Sequence, residues 1–448
     1  MADISAGALG ELISATDSHG IATQTRELVE AGTLDVGARL PTVRAVAGEL
    51  GVSIGTVAKA WSLLRDAGLI ETRQRGGTRV LGAVRPPTQD EAPVAWSDVD
   101  FLFCSPDPAL LPPLDRAVAT ALRTPHFNEW GREYIVQALH RIVSRDWPFE
   151  ATGWMTAGGG TEGLWLATRA AVGNQRVVAC EEPLAPGFLA GLQEEGLTVI
   201  GVPVDDEGPT VEGVRAAVDA GAAALVLSPG GPFSDRHVLS SARAEELADL
   251  LEGTDVAVIE DDVLGPLSTV PVRTLGHRLP QQTIRVQEYC RAFGIDLRTS
   301  VIGGARPLVD AAIHQRSGGV ASNSRLLQDA LAALLSDERT GAAVHQARQR
   351  YTRRRERALA AFSAAGLTVH SGPGSWALWV EVADERSAAL ALSSHGIVVD
   401  VASASHVSPD QQRQRLRLSL AQLPESSLDE LAQRVADAAR GRLGPVIP

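Results

Sequence analysis

The chain has 448 residues, 44% of them hydrophobic, and its 54 acidic and 41 basic residues leave a formal net charge of −13. That length allows two or three domains with separate cores. Three cysteines, far apart in the sequence, exclude a disulfide framework and fit a reducing cytoplasm, and the scattered histidines do not favour a structural metal. No apolar run has the length of a membrane span and no leader segment is recognisable, so we expect a cytoplasmic protein with no membrane partner.

The first 80 residues are predicted to form a winged helix-turn-helix. Residues 1–20 have the composition of a tail with one weak amphipathic turn, and a helix is predicted from about Ile21 to Ala31. Thr42 can cap a second helix that Gly51 ends, and Ser53 can cap a third. The predicted buried stripe of that third helix is Val57, Ala60, Trp61 and Leu64. Two short strands joined by a glycine turn follow, over residues 69–72 and 78–80.

Basic residues are concentrated in this stretch although the whole chain is acidic. Between Arg39 and Arg79 there are seven basic and three acidic residues, a local balance of +4. Residues 1–85 carry nine of each sign, so the −13 lies in the residues that follow. An acidic body repels nucleic acid, so DNA contact is predicted for the winged helix alone, with the second helix of the motif in the major groove.

The stretch ELVEAGTLDVGARLPTVRAVAGELGVSIGTVAKAWSLLRDAGLIETRQRGGTRV, from Glu27 to Val80, resembles the GntR family of bacterial transcription regulators. Ile54 and Ala58 stand where members of that family often have basic residues. The alternative is a helix-turn-helix kept only for packing or dimerisation. The resemblance and the basic residues together imply that double-stranded DNA is contacted by Arg44, Ser53, Thr56, Lys59, Arg73, Arg75 and Gly77.

The chain after residue 100 has the pattern of an α/β domain. We assign residues 1–81 to the winged helix, 82–99 to a linker rich in proline and acidic residues, 100–306 to a large domain, and 307–448 to connecting helices and a small α+β domain. Short apolar strands alternate with amphipathic helices in the large domain, which predicts a mostly parallel sheet.

This body resembles the fold-type-I aminotransferases, and the two-part arrangement resembles the MocR-like regulators. The segments that carry the resemblance are CSPDPALLP (104–112), TAGGGTEG (156–163), EEPLAPG (181–187), SPGGPFSD (228–235), VIEDDVLGPL (258–267), EYCRAFGIDLR (288–298) and LRLSLA (416–421). The resemblance implies a pocket formed by Gly159, Gly160, Thr161, Asp261, Arg291, Arg298 and Arg417. In it, Asp261 matches the acid that pairs with the pyridine nitrogen, Arg298 the phosphate arginine, and Arg417 the arginine that clamps a substrate carboxylate. The glycines that open the helix could hold an anion through their backbone N–H groups. The resemblance also puts Val263 where MocR-like chains usually have a tyrosine, and Gly231 where such enzymes have an asparagine.

Lys59 is the only lysine of the chain, and the resemblance puts Arg291 where the family has its cofactor lysine. A guanidinium stays protonated and cannot form an imine, so pyridoxal 5′-phosphate is expected to bind only non-covalently, if it binds. Arg291 favours an anionic ligand or a salt bridge to Asp261. The predicted function is a homodimeric, DNA-binding transcription regulator, not an enzyme, with a small anionic or amino-acid-like effector. The alternatives are an active aminotransferase with a DNA-binding arm and a dimerisation module without ligand.

Each pocket residue also has a purely structural interpretation. Asp261 can be hydrogen-bonded to a loop, as carboxylates at strand ends often are. Arg298 can pair with Asp296 or Glu288, and Arg417 can be a charge on an edge strand. Gly158–Gly160 can be a plain strand-to-helix turn. No metal-binding or acid–base group is predicted around Asp261 and Asp262.

Overall fold

The computed structural model describes residues 4–30, 33–34, 37–66, 69–73, 77–80, 95–125, 133–316, 323–408 and 413–444. The chain divides into two units, Met1–Val94 and Ala95–Pro448. Within the described ranges no helix is both long enough and apolar enough to cross a membrane.

The first unit is a small helical domain with a three-stranded antiparallel sheet in the order β1-β3-β2. Its elements are α1 (Ala6–Leu12), α2 (Ser18–Glu30), β1 (Arg39–Leu40), α3 (Val43–Leu50), α4 (Ile54–Asp66), β2 (Ile70–Arg73) and β3 (Gly77–Val80).

The helix boundaries of the motif follow from local chemistry. The Thr42 hydroxyl accepts the Ala45 N–H at 3.3 Å, and the Ser53 hydroxyl accepts the Thr56 N–H at 3.0 Å. Gly51 takes a left-handed conformation (φ +64°), which lets the backbone leave α3 without a side-chain clash. The predicted stripe of α4 is confirmed, because its four residues are at most 3% exposed.

The start of the chain differs from the prediction of a tail. Helix α1 buries Leu9, and Ile13 just after it is also in the core of the first unit. Ile13 is the extended residue that ends the helix, and its N–H donates to the Leu9 carbonyl. The backbone of α1 lies close to α3, since a Cβ on Gly10 would be 3.2 Å from the Glu49 Cβ. A helix of seven residues is too short to show a clear periodic pattern.

The second unit contains the remaining elements. They are α5 (Asp115–Ala121), α6 (Gln137–Val143), β4 (Gly153–Ala157), α7 (Gly160–Val172), β5 (Val177–Glu181), α8 (Pro186–Glu194), β6 (Thr198–Val202), β7 (Val204–Asp205), β8 (Gly208–Pro209), α9 (Val211–Asp219), β9 (Ala224–Leu227), α10 (Ser241–Leu251), β10 (Ala257–Asp262), β11 (Thr283–Glu288), α11 (Cys290–Phe293), β12 (Ser300–Gly304), α12 (Arg306–Arg316), α13 (Arg325–Ser336), α14 (Glu338–Ala364), β13 (Val369–His370), β14 (Ala377–Glu381), α15 (Glu385–Ser393), β15 (Asp400–Val401), β16 (Arg415–Ser419) and α16 (Leu428–Ala439).

The main sheet has seven strands in the order β4-β12-β11-β10-β9-β5-β6. All neighbouring pairs are parallel except those made by β12, which runs antiparallel to both β11 and β4. Its central strands read as continuous apolar runs because helices cover both faces. In such sheets ligands bind beyond the carboxyl ends of the strands, where β4, β10 and β11 all end.

A second, antiparallel sheet of four strands lies near the end of the chain, in the order β13-β14-β16-β15. Strand β16 is therefore an inner strand, flanked by β14 and β15. The 27-residue helix α14 precedes this sheet in the chain.

The proposed linker, 82–99, is described only from Ala95 onward. Trp96 lies in a short 3-10 helix, is buried, and contacts the ring of Phe101 with a centroid distance of 6.3 Å. Residues 95–99 thus belong to the second unit, because two aromatic rings are buried against it. Residues 82–94 lie outside the described part of the chain.

Candidate functional site

The first unit presents basic side chains on α3 and α4. Arg44 and Lys59 are exposed, and no described residue forms a hydrogen bond or ion pair with either side chain. Ser53 and Thr56 lie at the start of α4, with their hydroxyls 2.8 Å apart. Ile54, beside them, leaves half of its surface exposed.

The hairpin between β2 and β3 is described in part. Arg75 and the side chain of Arg73 lie outside the described residues. Gly77 has φ +73°, a backbone conformation that residues with a side chain rarely adopt, so the position favours glycine. Arg79 donates a 2.8 Å hydrogen bond to the Gly37 carbonyl, which gives this basic residue a structural use.

The second unit has a cavity of about 580 Å³ at the carboxyl ends of β4, β10 and β11. Its walls are largely apolar, with Phe103, Phe188 and Phe233 among them. All seven pocket residues chosen from the sequence line this one cavity: Gly159, Gly160, Thr161, Asp261, Arg291, Arg298 and Arg417.

Two carboxylates that were not among the predicted pocket residues, those of Glu288 and Glu162, lie at the first turn of α7. A Cβ on Gly160, the first residue of the helix, would lie 2.6 Å from Glu288 Oε2. Glu162 accepts the Gly158 N–H and forms an ion pair with Arg316 at 2.9 Å. The amino end of a helix attracts negative charge. Here the chain itself supplies that charge.

Arg291 projects into the cavity and forms an ion pair with Glu288, three residues earlier. Its Nη2 also donates to the Phe103 carbonyl at 3.4 Å, while its Nε has no hydrogen-bond partner among the described residues. The suggested salt bridge from Arg291 to Asp261 is therefore wrong. Glu288, which ends β11, has the closer position.

Asp261 lies at the end of β10, and no described residue hydrogen-bonds to its carboxylate. Burial, with the neighbouring Glu288 charge as the next cause, raises the pKa of Asp261 to about 8. The interpretation that Asp261 is hydrogen-bonded to a loop is wrong. The neighbouring Asp262 makes such a bond instead, because its carboxylate accepts the Gly265 N–H at 3.2 Å. Burial likewise raises the pKa of the nearby Glu181 to about 8.

Arg417 is not an edge-strand charge, because β16 is an inner strand and the side chain is only 5% exposed. Its guanidinium pairs with the Asp400 carboxylate, donates to the Leu102 carbonyl at 3.2 Å, and lies 5.5 Å from the centroid of the Phe233 ring. Arg417 thus already has a carboxylate partner within the chain.

Arg298 is the one pocket arginine whose guanidinium has no hydrogen-bond or ion-pair partner within the described ranges. The alternatives that paired it with Asp296 or Glu288 are not supported. Its backbone is in the left-handed region (φ +43°), and its carbonyl accepts from Asn323 Nδ2 at 2.8 Å. The residue is exposed at the edge of the cavity.

The segment Leu102–Pro106 forms another wall of the cavity. Asp100 fixes the shape of this segment by accepting the N–H groups of Leu102, Phe103 and Ser105 at 2.8–2.9 Å. Phe103 is nonetheless 73% exposed. Hydrogen bonds from Arg291 and Arg417 to the carbonyls of Phe103 and Leu102 hold the segment against the cavity.

A winged helix-turn-helix unit followed by an aminotransferase-like α/β unit is the class that this fold and cavity define. Residues 18–80 match the model of the bacterial regulatory proteins of the gntR family, and residues 137–435 match that of aminotransferase class I and II. The second match covers more than half of the chain, so the protein belongs to the class I and II aminotransferase family, in the MocR-like arrangement with a GntR-type unit in front.

Two relatives cover almost the whole chain. The vitamin B6 salvage pathway transcriptional repressor PtsJ of Salmonella typhimurium is 28% identical over 95% of this chain and 99% of its own. The HTH-type transcriptional regulator TauR of Rhodobacter capsulatus is 24% identical over 94% and 96%. Among solved structures, LysN, the alpha-aminoadipate aminotransferase of Thermus thermophilus, matches with a TM-score of 0.68 and 17% identity over 79% of this chain and 96% of that one, which shows a shared fold.

The aminotransferase-like fold suggests binding of pyridoxal phosphate, but the residues in this cavity do not fit that cofactor. An imine requires a lysine amine, and the only lysine, Lys59, is in the first unit. A phosphate would be expected at the start of α7, where Glu288 already lies. Two residues retain the chemistry expected of them: Asp261, a carboxyl group able to face a ring nitrogen, and Arg298, whose guanidinium has no partner among the described residues. No metal-binding cluster of His, Cys, Asp or Glu was found in the part of the chain that the structure describes.

Proposed function

We propose that the protein is a DNA-binding transcription regulator whose second unit dimerises and senses a small molecule without catalysing transamination. The observation that carries this proposal is the pair of exposed basic side chains, Arg44 and Lys59, on a winged helix that is otherwise well packed. Neither side chain has a hydrogen-bond or ion-pair partner among the described residues, so both are available to phosphates. Two relatives of nearly equal length are named as transcriptional regulators.

In the proposed complex, helix α4 enters the major groove and the β2–β3 hairpin lies along the backbone. Ser53 caps α4, and Thr56 and Lys59 are on its amino-terminal half, the part of a recognition helix that contacts bases. Arg73, Arg75 and Gly77 would follow the phosphates. A protein acting on DNA in this way works in the bacterial cytoplasm.

The case against transamination is chemical. The second unit contains no lysine, and Arg291 has a guanidinium that remains protonated at any cellular pH. Pyridoxal phosphate, if present at all, would have to be held non-covalently by Asp261 and Arg298. The carboxylates at the start of α7 oppose its phosphate group.

The test combines footprinting and an activity assay on the same purified protein. We expect a footprint with two half-sites related by two-fold symmetry, because a homodimer presents two copies of α4. We also expect no turnover of an amino donor with a keto acid, and after incubation with pyridoxal phosphate and borohydride, no labelled side chain in residues 95–448. Turnover, or the absence of any protected DNA, would contradict the proposal.

A further inference from the structure

We propose that the cavity of the second unit selects a phosphate-free organic cation, because Glu288 occupies the place at the start of α7 where a phosphate would bind. This inference deepens the proposed sensing role and rests on it for the assumption that the cavity takes a ligand. It concerns the chemical class of that ligand.

The first step is the position of Glu288. Its Oε2 would be 2.6 Å from a Cβ on Gly160, so the carboxylate lies directly over the first residue of a 13-residue helix. Its side chain is only 13% exposed, which limits screening by water. A phosphate brought to this helix end would meet the negative charge of the Glu288 carboxylate and be repelled.

The second step concerns the arginines that would attract an anion. Arg291 is paired with Glu288, and Arg417 with Asp400, so each positive charge already faces a negative one. Among the described cavity residues this leaves Arg298 alone with an unpaired guanidinium, and it lies at the exposed edge. An anionic ligand would therefore have to displace a carboxylate of the chain to gain more than one strong contact.

The third step concerns what a cation would find. The Asp261 carboxyl lines the cavity and accepts no hydrogen bond from any described residue, so a protonated nitrogen can take that place. The rings of Phe103, Phe188 and Phe233 line the same cavity and can stabilise a cation or stack on a flat ring. The free polar partner and the walls both suit an aromatic amine.

The experiment uses pyridoxamine and pyridoxamine 5′-phosphate, which differ only by the phosphate and have no aldehyde that could react with Lys59. Calorimetric titration of the full-length protein without DNA measures both affinities. We expect the wild type to bind pyridoxamine at least about tenfold more tightly than its phosphate ester. We expect Glu288→Ser to bind the ester at least about tenfold more tightly than the wild type does, because the start of α7 and Arg291 are then free.

Two further variants make the result specific. Glu288→Gln removes the charge but keeps the size of the side chain, and should gain ester affinity even if Glu288→Ser folds poorly. Glu356→Ser removes an exposed carboxylate of α14 that is not part of the cavity lining, and should change neither affinity. Asp261→Asn should weaken pyridoxamine binding at least about fivefold without restoring affinity for the ester.

Equal affinity of the wild type for both probes would overturn the proposal, and so would a lack of gain in both Glu288 variants. If the Glu288 variants gain affinity for the ester but the wild type does not bind pyridoxamine, the preference for a cation is overturned and only the exclusion of phosphate is supported. Because DNA is absent from these titrations, failure here is distinguishable from failure of the regulatory role, which the footprint decides.

Discussion

Asp400 and Arg417 face each other directly across the pairing of β15 and β16, and the guanidinium of Arg417 is hydrogen-bonded to the Asp400 carboxylate. Arg417 is the residue that the family resemblance assigns to clamping a substrate carboxylate. In this chain the strand register provides a carboxylate for it. An acidic ligand that enters the cavity therefore finds Arg417 already neutralised by Asp400.

Removing the carboxylate of this pair should destabilise the protein. Asp400→Asn leaves the buried Arg417 charge without its counter-ion, and we expect a loss of about 2–3 kcal/mol in the free energy of unfolding. Urea unfolding followed by circular dichroism measures it. Asp249→Asn is the matched control, because Asp249 pairs with Arg278 on the surface at 2.9 Å and should cost at most about 0.5 kcal/mol. Equal losses in the two variants would show that the buried Asp400–Arg417 pair contributes no more to stability than a surface ion pair.

Replacing the basic residues of the first unit should weaken DNA binding without affecting the fold. We expect Lys59→Ala and Arg44→Ala each to reduce the affinity for DNA, because each removes a positive charge available to a phosphate. The fold should be unaffected, because the exposed side chains are not needed for packing. A lost phosphate contact also lowers the slope of log affinity against log salt by about one. Titrations of labelled operator DNA at several salt concentrations give both quantities.

The control for the DNA experiment is Arg353→Ala, which removes an exposed positive charge from α14 of the second unit. It should leave both affinity and slope unchanged. If neither Lys59→Ala nor Arg44→Ala differs from this control, α3 and α4 do not dock on DNA as described.

Stability should fall with rising pH because of Asp261. Burial raises the pKa of this carboxyl from 3.8 to about 8, so the folded state holds a proton that the unfolded chain releases near pH 4. The resulting stabilisation is complete below pH 4 and is lost as pH rises towards 8. We expect the free energy of unfolding of Asp261→Asn to rise relative to that of the wild type between pH 5.5 and 8, by at most about 1.4 kcal/mol per pH unit.

Several groups near Asp261 bear on this measurement. Burial raises the pKa of Glu181 to about 8 as well, and Asp261 adds to that effect, so the variant should also ease the ionisation of Glu181. The other charges acting on Asp261 are Glu288, Arg291, Asp262 and Arg285. A constant difference between variant and wild type from pH 5.5 to 8 would contradict the raised pKa.

Gly231 should not accept the asparagine that the family has at this position. Its φ is +56°, and a Cβ would clash with the His237 carbonyl oxygen, so we expect Gly231→Asn to cost at least about 2 kcal/mol. Gly221 has a similar backbone (φ +83°) with nothing within 4 Å of a Cβ, and Gly221→Asn should cost no more than about 1 kcal/mol. Thermal unfolding of both variants makes the comparison. Equal stability would mean that the loop near His237 moves aside.

The sequence was sufficient for features that depend on neighbouring residues. The helix caps at Thr42 and Ser53 and the buried stripe of α4 follow from patterns within a dozen residues. The strand that carries Asp261 near its end was visible as an apolar run. The seven pocket residues that line one cavity came from a family resemblance carried by separate short segments.

What could not be predicted depends on contacts between distant parts of the chain. Gly160 and Glu288 are 128 positions apart and meet only because β4 and β11 end at the same edge of the sheet, on either side of β12. The antiparallel direction of β12 left a weak signal, since only residues 289–299 connect it to β11, and parallel neighbours usually need a dozen or more. The partner of Arg417 depends on the register of β15, a strand of two residues.

The wall formed by Leu102–Pro106 is hydrogen-bonded to two arginines of the cavity. Arg291 and Arg417 each donate to a carbonyl of this segment, so any ligand that draws either guanidinium away loosens the backbone a few residues after the point where the second unit begins. A ligand in the cavity would therefore be felt by the backbone of residues 102–106 as well as by the side chains it touches.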